Sequence, residues 1–320
     1  MGRKWSWLAG VLVLAAGLVP VRTAGNPIPR PEPPELSVPP GIVYLPDLTY
    51  CTVDNNELQL DLARPSNGPG PFPAVVCVHG GGWHMGHRKI YTSWLMALAR
   101  RGYVAVTVSY RLTPRYQFPC QIHDVKCAVR WLRAHADKYR VDRNRIGGLG
   151  DSAGGHLVCL LGATSPKDGL EGDGGYADHS SRVQCVVAYY PPTDLTVVHQ
   201  AVRSGQAPWL EGLYARNVVE GLLGGPPEKV GMESYVRCSP VTYASKDCAP
   251  MLLIHGTADR LVPIEQSRLL ERKLREAGAE VALLPIEKAG HGFGGKDNEK
   301  AAAATLAFFA KHLQPARSER

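Results

Sequence analysis

The chain predicts an α/β fold: a mostly parallel central sheet with helices on both faces and a small cap-like insertion. Three observations carry that prediction. Short apolar runs bounded by turn residues alternate with helical patterns, the alternation begins near residue 72 and runs to the last helix, and it is interrupted only once. Strands buried on both faces read as continuous apolar runs, and helices must cross over to connect parallel neighbours.

The amino-terminal end stands apart from this pattern. Arg3 and Lys4 precede an apolar run from Trp7 to Val19, followed by the small residues Thr23, Ala24 and Gly25. That is the layout of a secretory signal peptide over residues 1–24, with a retained amino-terminal anchor as the alternative. The run is short for a membrane span, so no stable membrane partner is expected, and the protein is expected to be exported to a periplasmic or extracellular space. Residues 25–40, containing "NPIPRPEPPELSVPP", form a Pro-rich linker whose prolines favour extended backbone. Residues 41–316 are then one domain of ordinary size.

Within it the elements follow in order. "FPAVVCVHG" is a strand, Tyr91 to Arg100 a helix, "YVAVTVSY" a strand and Ile122 to Ala136 a helix. In that second helix Ile122, Val125, Val129, Leu132 and Ala136 share one face, as packing on a sheet requires. "RIGGLG" is a strand, and a helix runs on from Ser152. "VQCVVAYY" and "MLLIHG" are strands, Ile264 to Ala277 a helix, "EVALLPIE" a strand and Asn298 to His312 the last helix. The interruption is residues 195–236, with Trp209, Leu210, Leu213, Tyr214 and "GLLGGPP" but no strand pattern. It follows a central strand, which places it over the carboxyl ends of the strands, where open α/β sheets bind ligands. It reads as a cap, against the alternative of a surface insertion with its own small core.

Charge and cysteines narrow the function classes. The formal charge is +7, and Arg3, Lys4 and Arg22 leave with the signal, so the remainder is only mildly basic. No Lys/Arg cluster is interleaved with aromatics, which argues against nucleic acid as a partner. Among the 8 cysteines, Cys77, Cys159 and Cys185 lie inside apolar patterns and read as core residues. Cys238 with Cys248, and Cys120 with Cys127, are the only disulfide pairs the spacing suggests. No CxxC or HExxH occurs, and no metal or other cofactor is expected.

The chemistry is concentrated in four stretches. Gly150-Asp151-Ser152-Ala153-Gly154 is a G-x-S-x-G turn between a strand and a helix, which exposes the Ser152 hydroxyl above the sheet beside a helix amino terminus. "VHGGGWHMG", Val78 to Gly86, also follows a strand, and its glycines let backbone N–H groups approach a substrate oxygen. Gly81, Gly82 and Ala153 are therefore the candidate oxyanion-hole donors. Trp83 is a candidate wall of the substrate pocket, with plain packing as the alternative. A serine needs a base and an orienting acid. Of the 11 histidines, His291 in "KAGHGF" follows the last strand in a glycine-flanked loop. His79 reads as a brace for its loop and His156 as packed or capping. Asp259 in "HGTADRLVP" ends the preceding strand and completes the order Ser, Asp, His, although an aspartate there can also cap a helix.

The motifs HGGGW, GDSAGG, GTADRLVP and GHGF, with "SYRLTPRYQFP" and "DVKCAVRWLRAHADKY" between them, resemble α/β-hydrolases of the hormone-sensitive-lipase and acetyl-xylan/feruloyl esterase type, from about Leu48 to His312. The resemblance implies Ser152 as nucleophile, Asp259 as acid and His291 as base, the same residues that the motif reading selects. It places Arg111 and Asp124 in a structural salt bridge beneath the site. The expected activity is hydrolysis of short-chain acyl or feruloyl esters of plant polysaccharide through an acyl-enzyme. An exopeptidase or amidase on the same fold, and a catalytically silent binding protein, are the alternatives.

Overall fold

The computed structural model describes residues 37–197 and 209–313. The predicted signal peptide, most of the linker and the last residues of the predicted domain lie outside the described residues. Eight strands form one sheet in the order β1-β2-β4-β3-β5-β6-β7-β8. They are β1 (Ile42–Val53), β2 (Asn56–Pro65), β3 (Phe72–Val78), β4 (Val104–Val108), β5 (Val141–Asp151), β6 (Cys185–Tyr189), β7 (Met251–Gly256) and β8 (Val281–Ile286). From β4 to β8 all neighbours are parallel, while β1 with β2 and β2 with β4 are antiparallel.

The alternation along the strands sorts side chains into two cores. Ala74, Val76 and Val78 of β3 join one cluster, together with Ile122, Val125 and Val129 of α2 (Cys120–Ala134) and Leu157 and Leu161 of α4 (Ala153–Ala163). A short helix, α3 (Ala136–Tyr139), follows α2. Val75 and Cys77 face the other cluster, with Leu95 and Leu98 of α1 (Thr92–Ala99) and Phe309 and Leu313 of the carboxyl-terminal helix. Period-two side chains on a sheet covered by helices on both faces produce this division. The parallel register ends β3 and β5 together, Val78 opposite Gly150, and sets Asp151 opposite Tyr189 of β6, so their following loops open on one edge.

The hairpin β1–β2 was not expected from the alternation. Pro46 and Asp47 inside β1 hide the pattern, yet Leu58, Leu60 and Leu62 of β2 alternate cleanly. Asp54 and Asn55 have φ values of 53° and 58°, the two positive angles of a two-residue hairpin turn that matches strand twist.

The insertion is helical where described: α5 (Trp209–Leu223), α6 (Pro227–Val230) and α7 (Met232–Cys238). Val219, Leu222, Tyr235 and Cys238 join the core cluster shared by α2 and α4 rather than forming one of their own. Two helices complete the fold, α8 (Glu265–Glu276) and α9 (Gly295–Leu313).

Neither suggested disulfide is present, and all 8 cysteines are thiols. Cys120 and Cys127 lie on one helix, seven residues and so about 10 Å of rise apart, beyond a disulfide's reach. Cys238 lies 3.7 Å from His156 Nε2, whereas Cys248 lies 3.4 Å from the Tyr243 carbonyl, in a separate pocket.

Candidate active site

Ser152 sits between β5 and α4 with φ 50° and ψ −118°, a conformation that costs free energy outside glycine. Its N–H is donated to Tyr189 O at 2.9 Å, which ties the turn to β6. The neighbours must be minimal: a Cβ on Gly154 would lie 2.0 Å from Val78 O and 2.6 Å from His79 O. Helix α4 therefore begins in backbone contact with the end of β3, and Ala153, whose N–H has no acceptor within the helix, stands beside the glycine loop.

That loop is held from several sides. Gly81 has φ 111°, and a Cβ there would meet Met85 O at 2.2 Å. Gly80 N–H is donated to Asp151 Oδ1 at 3.0 Å, and Tyr91 O–H reaches the same oxygen at 2.8 Å. Burial pushes the Asp151 carboxyl up, against the opposing hydrogen bonds from Tyr91 and Gly80 and the nearby His291. Tyr110 O–H is donated to His79 O at 2.9 Å, and the His79 ring stacks on Tyr110 at 4.5 Å. Trp83 is only 3 % exposed and donates its indole N–H to His156 Nδ1 at 3.2 Å, so its ring packs between the loop and α4. His156 Nε2 in turn contacts Cys238 O at 2.7 Å. Burial holds both His79 and His156 down at about 4, which keeps them neutral.

The base and acid arrive from the ends of β8 and β7. His291 Nε2 lies 3.0 Å from Ser152 Oγ, and its Nδ1 lies 2.8 Å from Asp259 Oδ2. With the Nδ1 proton held on Asp259, Nε2 is left as the acceptor for the serine proton. Asp259 Oδ1 accepts the N–H groups of Leu261 and Val262 at 3.0 and 2.9 Å, within the turn before α8 and not as a cap of that helix, so the turn contacts and the His291 contact use different oxygens of one carboxylate. Burial opposes its ionisation, but hydrogen bonds from His255, His291 and Val262 hold it well below the usual carboxylate range. His255 Nε2 is 3.4 Å from Asp259 Oδ2, and its other nitrogen contacts Ser267 Oγ at 2.7 Å. His255 thus steadies the acid.

The fold brings together Ser152, Asp259 and His291, and the glycine loop is tied beside the serine through the Gly80 N–H on Asp151. Sequence reasoning did not find Asp151 as the clamp of the glycine loop, although it stands inside the G-x-S-x-G motif. Nor did it find Tyr190, whose ring lies 4.5 Å from that of His291 and 5.4 Å from Phe293, packing the base in place. Nothing in the local sequence signals that contact. Arg111 and Asp124 form the expected salt bridge, with Arg111 Nη2 2.8 Å from Asp124 Oδ1 and the Arg111 N–H also donated to the carboxylate. A hollow of about 290 Å³ lined by Ser165, Arg182, Thr242 and Ser245 lies elsewhere and holds no member of the triad.

Helix α5 closes over the loop. A Cβ on Gly82 would meet Val218 Cγ1 at 3.0 Å, the His84 and Tyr214 rings meet edge to face at 6.3 Å, and Phe118 N–H is donated to Leu222 O at 2.8 Å.

A strained serine at a strand-to-helix turn, a histidine on its hydroxyl and a buried aspartate behind it make the Ser–His–Asp arrangement of the α/β-hydrolase fold. The chain belongs to the BD-FAE family, whose model matches residues 60–274; the dienelactone hydrolase family model matches residues 235–314. It is 34 % identical over 212 residues to the probable carboxylic ester hydrolase LipM of Mycobacterium tuberculosis, covering 66 % of this chain and 47 % of that one. The chain spans less than two thirds of the length of this and the next curated relatives, 63 and 52 %. A truncated carbohydrate esterase from gut microbiota superimposes with a TM-score of 0.73 at 25 % identity, over 85 % of this chain and 96 % of that one. Thermogutta terrifontis esterase 2, in a form phosphorylated by paraoxon, superimposes with a TM-score of 0.68 at 27 % identity, over 87 and 97 % of the two chains.

Proposed function

We propose that this protein is a carboxylic ester hydrolase that works through a Ser152 acyl-enzyme on short-chain acyl or feruloyl esters of plant polysaccharide, and that it is exported. The observation that carries the reading is the continuous line of hydrogen-bonding contacts from Ser152 Oγ through His291 to Asp259, at 3.0 and 2.8 Å. As Ser152 Oγ attacks the ester carbonyl, His291 Nε2 takes its proton and Asp259 stabilises the imidazolium. The amides of Gly81, Gly82 and Ala153 hold the oxyanion, and His291 returns its proton to the departing alcohol. Water, with His291 again as base, then releases the acid. Trp83 supports the oxyanion loop through His156.

Two observations favour a small acyl group on a carbohydrate. Val218 of α5 stands 3.0 Å from where a β-carbon on Gly82 would lie, so the cap borders the proposed oxyanion loop, which favours a short acyl group. A carbohydrate esterase is among the solved structures of the same architecture. Export rests on the amino-terminal sequence alone.

The test is hydrolysis of p-nitrophenyl esters from acetate to palmitate, with methyl ferulate and acetylated xylan, by wild type and Ser152→Ala. Turnover of short or feruloyl esters, lowered at least about a thousandfold in the variant, is expected. Cleavage of peptide amides in place of any ester would overturn the proposed substrate class.

A further inference from the structure

Outside the active site the fold brings together one pair of reactive side chains that the proposed reaction does not use. Cys51 lies on β1 and Cys127 on α2, yet their sulfurs stand 2.9 and 3.0 Å from the same atom, the carbonyl oxygen of Gly174. Each thiol thus gives its one proton to the same carbonyl oxygen. A Cβ on Gly174 would meet each sulfur at 3.1 Å, so the pair occupies the space that a side chain there would need. The segment above them is drawn onto α2 by Lys126, 2.5 Å from Glu171, and by Arg130, which donates to the carbonyls of Glu171 and Gly175. Both sulfurs are therefore held under a fixed loop.

We propose that Cys51 and Cys127 are a disulfide site, oxidised by a thiol–disulfide carrier during folding, and that the bond staples the β1–β2 hairpin to α2. The hairpin has a use for such a staple, because β1 is an edge strand paired only with β2 and half-exposed along most of its length. The neighbouring Cys127 thiol holds the Cys51 thiol below its ordinary value, which makes Cys51 the first thiolate. Its sulfur attacks a sulfur of the oxidised carrier, forming a mixed disulfide and expelling one carrier thiolate. The Cys127 thiolate then attacks the Cys51 sulfur and expels the second. Two electrons pass to the carrier, and the two thiol protons go to its two sulfurs. Gly174 O exchanges its thiol donors for water at a largely exposed segment.

The full chain is unfolded and reduced, refolded across a series of glutathione redox buffers, then alkylated in denaturant without reductant and mapped by mass spectrometry. This design does not depend on where a cell delivers the protein. The expected result is a Cys51–Cys127 cross-linked peptide, with the other six cysteines alkylated. Reductant should lower the melting temperature of this form by roughly 10 °C, as a long closed loop implies, and leave a Cys51→Ala/Cys127→Ala variant unmoved. Alkylation of both thiols in folded protein from the most oxidising buffer, or a link from either to a different cysteine, overturns the proposal. A wild-type melting temperature that stays level across the redox series overturns the staple. The mapping is decisive on wild type alone, should the variant fail to fold.

Discussion

The two halves of the catalytic centre are built from different materials. The nucleophile half, from β3 and β5, is backbone against backbone: Gly154 on Val78 O, Gly81 on Met85 O, Ser152 strained at φ 50°. The acid–base half, from β7 and β8, is gathered on one side chain, with Asp259 meeting the rings of His291 and His255 and the N–H groups of Leu261 and Val262. Strain in the first half persists because packing over-determines it, whereas the second half is held by hydrogen bonds that one substitution can remove. The first half should therefore fail by unfolding and the second by losing chemistry.

The sharpest separation is expected from Asp259→Asn. It keeps the shape but favours the wrong imidazole tautomer, so kcat should fall by about 10³ to 10⁴ while the melting temperature changes little. Steady-state kinetics beside calorimetry decides it, and a variant that unfolds with its activity would erase the contrast. Gly154→Ala is the converse. A methyl group 2.0 Å from Val78 O cannot be accommodated without moving β3 or α4, and a loss of about 4 kcal/mol in denaturant unfolding is expected, with activity following the folded fraction.

The fold was legible where this same distinction is sharp. The continuous strands β3 to β8 and the helices between them follow directly from apolar runs and turns, because a parallel sheet buried on both faces admits few other patterns. Ser152 was legible because backbone constraints write the glycines beside it into the chain. Asp259 and His291 were legible by their places after strands. Tyr190 and His255 were not, since a side chain that meets the site across the fold leaves no local periodicity. The β1–β2 hairpin escaped for a different reason: a bulge at Pro46–Asp47 breaks the pairing register between Leu45 and Leu48, and with it the alternation in β1. Of the disulfide pairs suggested by spacing, Cys120–Cys127 failed because seven residues along a helix hold the sulfurs apart, and Cys238–Cys248 because the two thiols lie in different surroundings, against His156 and the Tyr243 carbonyl.

A smaller effect should appear with pH. His79 and His156 titrate at about 4 in the folded protein because they are buried. The unfolded chain takes up these protons near 6.5, so between those values it binds more protons and stability falls as pH falls. Each histidine contributes a slope of about 1.4 kcal/mol per pH unit in that window, complete above pH ~6.5, measurable by urea unfolding at several pH values. A flat profile from pH ~6.5 to ~4 would show that the loop brace is not held neutral.

The smallest effect concerns the cap. Val218→Ala relieves the contact with Gly82 and should shift preference towards longer acyl chains by roughly tenfold in kcat/KM ratio, without loss of acetate turnover. An unchanged chain-length profile would separate α5 from the acyl pocket.

The central claim, that Ser152 is the nucleophile activated by His291, is tested most directly by covalent capture. Paraoxon should place one diethylphosphoryl group on the peptide containing Ser152, expelling p-nitrophenolate in equal amount, with labelling abolished in Ser152→Ala and slowed in His291→Ala. Stoichiometric labelling at another residue, or full activity after Ser152 has been removed, would contradict the account.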